Sequence, residues 1–168
     1  MRAGGVCTAR PIMILTEPTV QAKFGRRLRR RALAAFLNEA AAAVKLRGEV
    51  AALLTTDAKI RRLNREFRNE DKATDVLSFP APVPLSEGEP SAGDLAISVE
   101  TAARQAEETG HALFAELQVL LLHGVLHLAG YDHENDTGQM ARREALLRRR
   151  FGLAAGLIER TGTTGGRR

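Results

Sequence analysis

Tryptophan is absent from this chain, tyrosine and cysteine occur once each, and six phenylalanines supply the other aromatic rings. So few rings disfavour a broad base-stacking platform of the kind single-strand-binding proteins use. The lone cysteine, Cys7, cannot close an internal disulfide, which makes a reducing cytoplasm the expected setting. Long apolar runs are also missing. None approaches the ~20 residues of a membrane-spanning helix, so no membrane partner is expected. The apolar stretch within MRAGGVCTARPIMIL is too short for a signal peptide. Acidic residues are in deficit, 20 against 25 Lys and Arg, and the resulting net charge of +5 favours an anionic partner.

The basic residues are bunched: Arg26, Arg27, Arg29, Arg30 and Arg31, then Arg142, Arg143, Arg148, Arg149 and Arg150. Any one of these reads as part of a solvated helix face. Together they make nucleic acid a candidate partner.

Three of the four histidines fall in one stretch, LLLHGVLHLAGYDH, residues 120–133. His123 and His127 are four apart and share one face of a helix. Gly130 follows as a left-handed stop, which turns the chain back and brings His133 toward the first two. The flanking positions, Leu117 and Val119 to Leu128, are apolar nearly all round, so the helix is expected to be buried. Isolated core histidines are usually structural, but three on one buried helix and its turn need a common partner. A metal ion held by three neutral imidazoles, with a fourth position open to water, meets that need. Structural zinc sites are usually closed by four ligands and rich in cysteine, so the open position favours catalysis over structure. The pattern H-x-x-x-H-x-x-G-x-x-H overlaps the metzincin protease motif, but Gly124 stands where that motif carries its glutamate base.

The 168 residues suit one domain, expected over 11–158, with flexible tails at 1–10 and 159–168. Strands are predicted at Pro11 to Leu15, Glu49 to Thr56, Asp75 to Phe79 and Gly93 to Ser98. One helix is predicted from Val20 to Lys45. Others run from Asp57, as N-cap, to Phe67; from Val99, capped by Ser98, to Thr109; and from Ala112 to Ala129. A last helix ends at Phe151, opened by a capping box of Asp136 and Gln139. Residues 81–92, with three prolines, read as an exposed mobile loop. His111 reads as a surface residue and not a ligand. The fold class expected is α/β or α+β, a mixed sheet of about four strands with about five helices packed on it.

At this level the sequence resembles the YbeY-type endoribonucleases, bacterial metal-dependent rRNA maturation factors. The resemblance spans Leu15 to Arg150. It is carried by HGVLHLAGYDH (His123 to His133), by LNREFRNEDKATDVLSFP (Leu63 to Pro80), by GDLAIS (Gly93 to Ser98) with Gln105 and Ala106 after it, and by Met140 with Glu144. It departs from the family at Phe67, Ala73 and Ala92, where tyrosine, proline and leucine are common. The resemblance implies one zinc ion per chain on His123, His127 and His133, hydrolysis of single-stranded RNA, and Arg68 as the functionally important arginine. Arg68 and His123 are thus the expected catalytic residues. It further implies a role in 3′-end maturation of small-subunit (16S) rRNA and in ribosome quality control. The expected partners are ribosomal RNA and the small subunit with its assembly factors, with no DNA. Two other readings stand beside it: a zinc peptidase of metzincin type, and a non-catalytic ribosome-associated RNA-binding module with a structural metal.

The residues are chemically consistent with the nuclease. Zinc-bound water at a pKa of ~7 needs less help from a carboxylate base, which makes Gly124 tolerable, and glycine leaves room beside the metal for a bulky substrate. Arg68, in a loop before a strand, suits the charge that develops on a phosphate. Asp132 is open to two roles, orienting an imidazole or capping the turn. Asp75 and Ser78 are read as structural ties, and no general base is assigned.

Overall fold

The computed structural model describes residues 12–82 and 91–153. The two expected tails and most of the expected loop over 81–92 lie outside the described residues. The order is β1 (Ile12–Thr16), α1 (Pro18–Phe24), a 3-10 turn (Gly25–Leu28), α2 (Arg30–Ala43), β2 (Glu49–Thr55) and α3 (Asp57–Arg68). It continues with β3 (Val76–Pro80), β4 (Ser91–Ser98), α4 (Val99–Thr109), α5 (Leu113–Leu128) and α6 (Gln139–Phe151). Four strands form one mixed sheet in the order β1-β2-β4-β3, with β1, β2 and β4 parallel and β3 antiparallel to β4. The mixed α/β expectation is met, with six α-helices instead of about five.

The extra helix comes from a break in the predicted helix over Val20 to Lys45. Phe24 and Leu28 keep a helical step, but the next apolar position is Leu33, five residues on. An unbroken helix would turn Leu33, Phe36 and Leu37 away from the core that Phe24 and Leu28 face. The backbone corrects the phase at Gly25 (φ 43°) and at Arg29 (φ 46°), and all five side chains are buried. Other corrections are local. Thr56, not Asp57, is the N-cap of α3, its hydroxyl accepting from Lys59 N at 3.3 Å. β4 starts at Ser91, inside the expected loop. Ser98 caps α4 as predicted, accepting from Thr101 N at 3.2 Å.

Strand alternation divides the core. Ile14, Val50, Ala52, Leu54, Leu95 and Ile97 point to one face, where α2 and α5 pack. Leu77 and Ala96 point to the other, covered by Ile60 and Leu63 of α3. α5 is apolar nearly all round because it lies between the sheet and helices α2, α4 and α6. Among the described residues no single helix is long and apolar enough to cross a membrane.

α5 approaches the sheet closely at Gly124. A Cβ there would stand 2.7 Å from Leu95 Cδ2. The room that Gly124 leaves is therefore taken by the sheet and not by the metal side, which corrects the sequence expectation. A glutamate in its place would point into packed leucine. Ser78 Oγ of β3 donates to the Gly124 carbonyl at 3.4 Å, tying the same point of α5 to the neighbouring strand.

Overpacking a full core costs about 1–3 kcal/mol. Gly124→Val is expected to lose stability in that range in denaturant unfolding, and Leu95→Ala added to it is expected to recover part of the loss. Strictly additive losses in the double variant would show that the two side chains do not meet.

Candidate metal centre

α5 carries His123 and His127 one turn apart. The helix then ends as its sequence requires. Gly130 takes φ 95°, its N–H reaches the His127 carbonyl at 3.0 Å, and Tyr131 N reaches the Leu126 carbonyl at 3.1 Å. This pair of bonds is a Schellman stop, available at low cost only to a residue without a Cβ. The turn delivers His133 beside the other two. Ring centroids are 4.8 Å apart for His123 and His127, 5.7 Å for His123 and His133, and 5.5 Å for His127 and His133.

One ring nitrogen from each histidine lies within 4.8 Å of the others. His123 Nε2 and His127 Nε2 are 3.2 Å apart. Two nitrogens held at ~2.0–2.1 Å in tetrahedral array around zinc stand ~3.3 Å apart, so this pair already has a ligand spacing. The group grades from buried His123 through half-buried His127 to exposed His133, which leaves one side open to solvent. The donor set therefore fits a divalent ion with an accessible position.

His123 is fixed from behind. Its Nδ1 is 3.1 Å from Glu144 Oε2 on α6, and the glutamate is only 2% exposed. A carboxylate that accepts from Nδ1–H leaves the Nε2 lone pair of the ring toward His127. The sequence reading picked Glu144 out only as part of a family block. A signal was present: Met140, Glu144, Leu147 and Phe151 form one helical stripe, and the acid occupies a core position in it.

His127 is held neutral. Burial, and then the neighbouring His123 and His133, lower its pKa from 6.5 to about 4, so its lone pair is available well below neutral pH. Asp132 takes the turn-capping option. It accepts from Glu134 N at 3.1 Å and from the Asn135 amide, and its carboxyl lies below the usual range chiefly because of those two bonds. The capping box expected of Asp136 and Gln139 does not form, because α6 begins at Gln139 with Gly138 as its N-cap: Asp136 accepts instead from Gly138 N and Met140 N, both at 2.7 Å, and Gln139 Oε1 accepts from Thr137 N at 2.7 Å.

Arg68 is the last residue of α3, not part of a loop, and it is exposed. Its guanidinium lies 3.5 Å from the Ser78 carbonyl, on the residue whose hydroxyl meets Gly124, next to His123. Asp75 is structural as expected: its carboxylate accepts from Val76 N at 2.8 Å and from Gln105 Nε2 at 3.1 Å, fastening the start of β3 to α4. His111 is exposed and takes no part in the histidine group.

The depressed His127 pKa has a stability consequence. Between about 4 and 6.5 the unfolded chain binds a proton at this residue that the folded chain refuses, so the contribution is complete above 6.5 and is lost as pH falls to about 4. The metal-free protein is expected to lose melting temperature across that window, and His127→Gln is expected to flatten the fall. Matching pH profiles for the two proteins would remove His127 as the cause.

The family model for Endoribonuclease YbeY matches residues 15–152. An endoribonuclease YbeY of Koribacter versatilis is 53% identical over 129 residues, covering 77% of this chain and 82% of that protein. One from Solibacter usitatus is 56% identical over 108 residues, covering 64% of this chain and 69% of its own. The solution structure of a Thermotoga maritima protein superposes with a TM-score of 0.55 at 26% identity, covering 94% of this chain and 100% of that one. A family match across nearly all the described residues, joined to relatives more than half identical, leaves one assignment: this chain belongs to the YbeY family of endoribonucleases.

Proposed function

We propose that this chain is a zinc-dependent endoribonuclease of the cytoplasm that cleaves single-stranded RNA. In this reading it acts in 3′-end maturation of 16S rRNA and in ribosome quality control, with the small ribosomal subunit and its assembly factors as partners. The observation that carries the reading is the meeting of three imidazole nitrogens within 4.8 Å at the solvent-facing end of a buried helix. Family membership supplies the class of reaction, and the three-nitrogen group supplies the means.

Bound there, zinc supplies a water with a pKa of ~7 and a Lewis acid for a phosphoryl oxygen. The chain's own residues do the rest. Glu144 holds the Nδ1 proton of His123 and so keeps the opposite lone pair aimed into the site. His127 stays neutral through burial and through its two histidine neighbours. His133, on the exposed turn, completes the group from the solvent side. Arg68 is exposed and donates from Nη2 to the Ser78 carbonyl, a position from which its remaining donors meet phosphate oxygens as their charge grows. Ser78, on the strand that this arginine touches, donates to the carbonyl of Gly124, the residue after His123.

The purified protein is expected to carry one divalent ion per chain, measured by elemental analysis, and to cleave labelled single-stranded RNA but not casein, with activity abolished by chelator. His123→Ala with His127→Ala is expected to abolish metal binding, and Glu144→Ala to weaken it about 10–100-fold. Undiminished metal in the double histidine variant would sink the site.

Arg68→Ala is expected to slow single-turnover cleavage on the order of a hundredfold while metal content and melting temperature stay the same. Arg68→Lys recovers part of the rate, because an ammonium lacks the bidentate fork. A normal rate for Arg68→Ala at confirmed metal occupancy would remove this residue from the mechanism.

A further inference from the structure

At the far end of α5 from His127 lies a second concave site. A cavity of about 760 Å³ opens between the 3-10 turn, the end of α4 and the start of α5, lined by Arg27, Arg29, Glu107, His111, Leu113 and Phe114. Phe114 and His123 are nine residues apart on one helix, so ~14 Å of axis separates this cavity from the histidine group. None of the residues lining it belongs to that group.

Three observations set it apart from an ordinary solvated face. The first is an excess of positive charge. No acidic residue occurs between Glu17 and Glu39, a stretch that carries five arginines. Among the described residues no carboxylate pairs with Arg27 or Arg29, although Glu107 lines the same cavity. The second is a guanidinium held in place. The Arg29 guanidinium carbon lies 4.2 Å from the centroid of the Phe114 ring. Stacking on an aromatic face removes rotamer freedom that a free arginine would lose on binding. The third is a concave wall that joins two cations to an aromatic ring and apolar side chains, a lining suited to a phosphate with a base or sugar beside it.

We propose that this cavity is a phosphate-binding contact for single-stranded RNA, made by Arg27 and Arg29 against Phe114, that anchors the strand away from the bond being cut. The inference rests on the endoribonuclease reading and extends it, since it gives the same strand a second point of attachment at the other end of α5. Two contacts ~14 Å apart along the helix axis favour substrates long enough to reach both. The left-handed backbone at Arg29, which the core imposes through the phase correction between Leu28 and Leu33, also places that side chain at the cavity.

The test uses the metal-free full chain, so that binding is read without cleavage. A fluorescent single-stranded oligoribonucleotide of about a dozen residues is titrated across a salt series and followed by anisotropy. Arg27→Gln with Arg29→Gln is expected to weaken binding at least tenfold and to reduce the slope of log affinity against log salt by about 0.7 for each arginine engaged. Arg149→Gln with Arg150→Gln removes the same charge from α6 and is expected to change both quantities far less. Phe114→Leu keeps the charge, removes the stack and is expected to weaken binding by a smaller factor. Inorganic pyrophosphate, added as competitor, is expected to displace the RNA only at concentrations where general screening does so.

Unchanged affinity in the Arg27 and Arg29 double variant, with an unchanged melting temperature, overturns the contact and leaves the nuclease reading in place. Equal losses from the two arginine pairs overturn it in favour of diffuse attraction. Displacement by low pyrophosphate overturns it in favour of a site for a free phosphate compound. A wild-type chain that binds no RNA at all overturns the contact and the nuclease reading together.

Discussion

An imidazole inside an apolar helix must satisfy two ring nitrogens where water is scarce. His123 is 7% exposed, and Glu144 meets its Nδ1 from α6. That single contact organises the centre. It orients the ring, assigns its proton, and leaves a lone pair facing His127. It also requires the chain to leave α5, turn and bring a second helix back across the first. The turn so produced is the segment that carries His133. The carboxylate is itself buried, so α6 has to pack closely enough on α5 to keep it in place, and Met140 and Leu147 on the same stripe supply that packing. Arg143 adds a tie at the other side of α6 by donating to the Ala43 carbonyl at 2.9 Å.

The other side of α5 is governed by shape. Leu95 fills the space over Gly124, and the Ser78 hydroxyl takes the carbonyl at that residue. The contact fixes where α5 rests on β4 and β3. Because α3 packs on the opposite face of those strands, the same contact also fixes where α3 ends relative to the histidines. Arg68, at that end, touches the strand that touches α5. The proposed cation for the phosphate and the proposed ligands for the metal are therefore carried on different faces of one sheet and linked through two residues of β3 and α5.

Charge is distributed in keeping with a substrate larger than the centre itself. The arginines near the 3-10 turn lie in a stretch with no acid to neutralise them, while several other cations of the described residues are paired, Arg61 with Asp71 and Arg104 with Asp57 among them. Paired surface charges contribute little to stability. Unpaired ones clustered around a concavity raise the local concentration of an anion.

Much of the centre was legible in the order of residues, because a helix converts a spacing of four into one face and a glycine after it into a turn. Those rules are local, and they identified His123, His127, Gly130 and His133 without reference to the rest of the chain. The helix break at Gly25 and Arg29 was less legible: it is written in a five-residue apolar step, but local propensity favours an unbroken helix, and only the shared core required the phase to change. The roles of Gly124 and Glu144 were not local at all. One depends on a leucine twenty-nine positions earlier and the other on a histidine twenty-one positions earlier, so neither could be read until α5 had been laid on the sheet and α6 on α5. The sequence by itself determined which donors are offered, since ligand chemistry resides in residue type and helical spacing. Only the tertiary structure decided which nitrogen His123 presents, because the carboxylate that meets its other nitrogen arrives from α6.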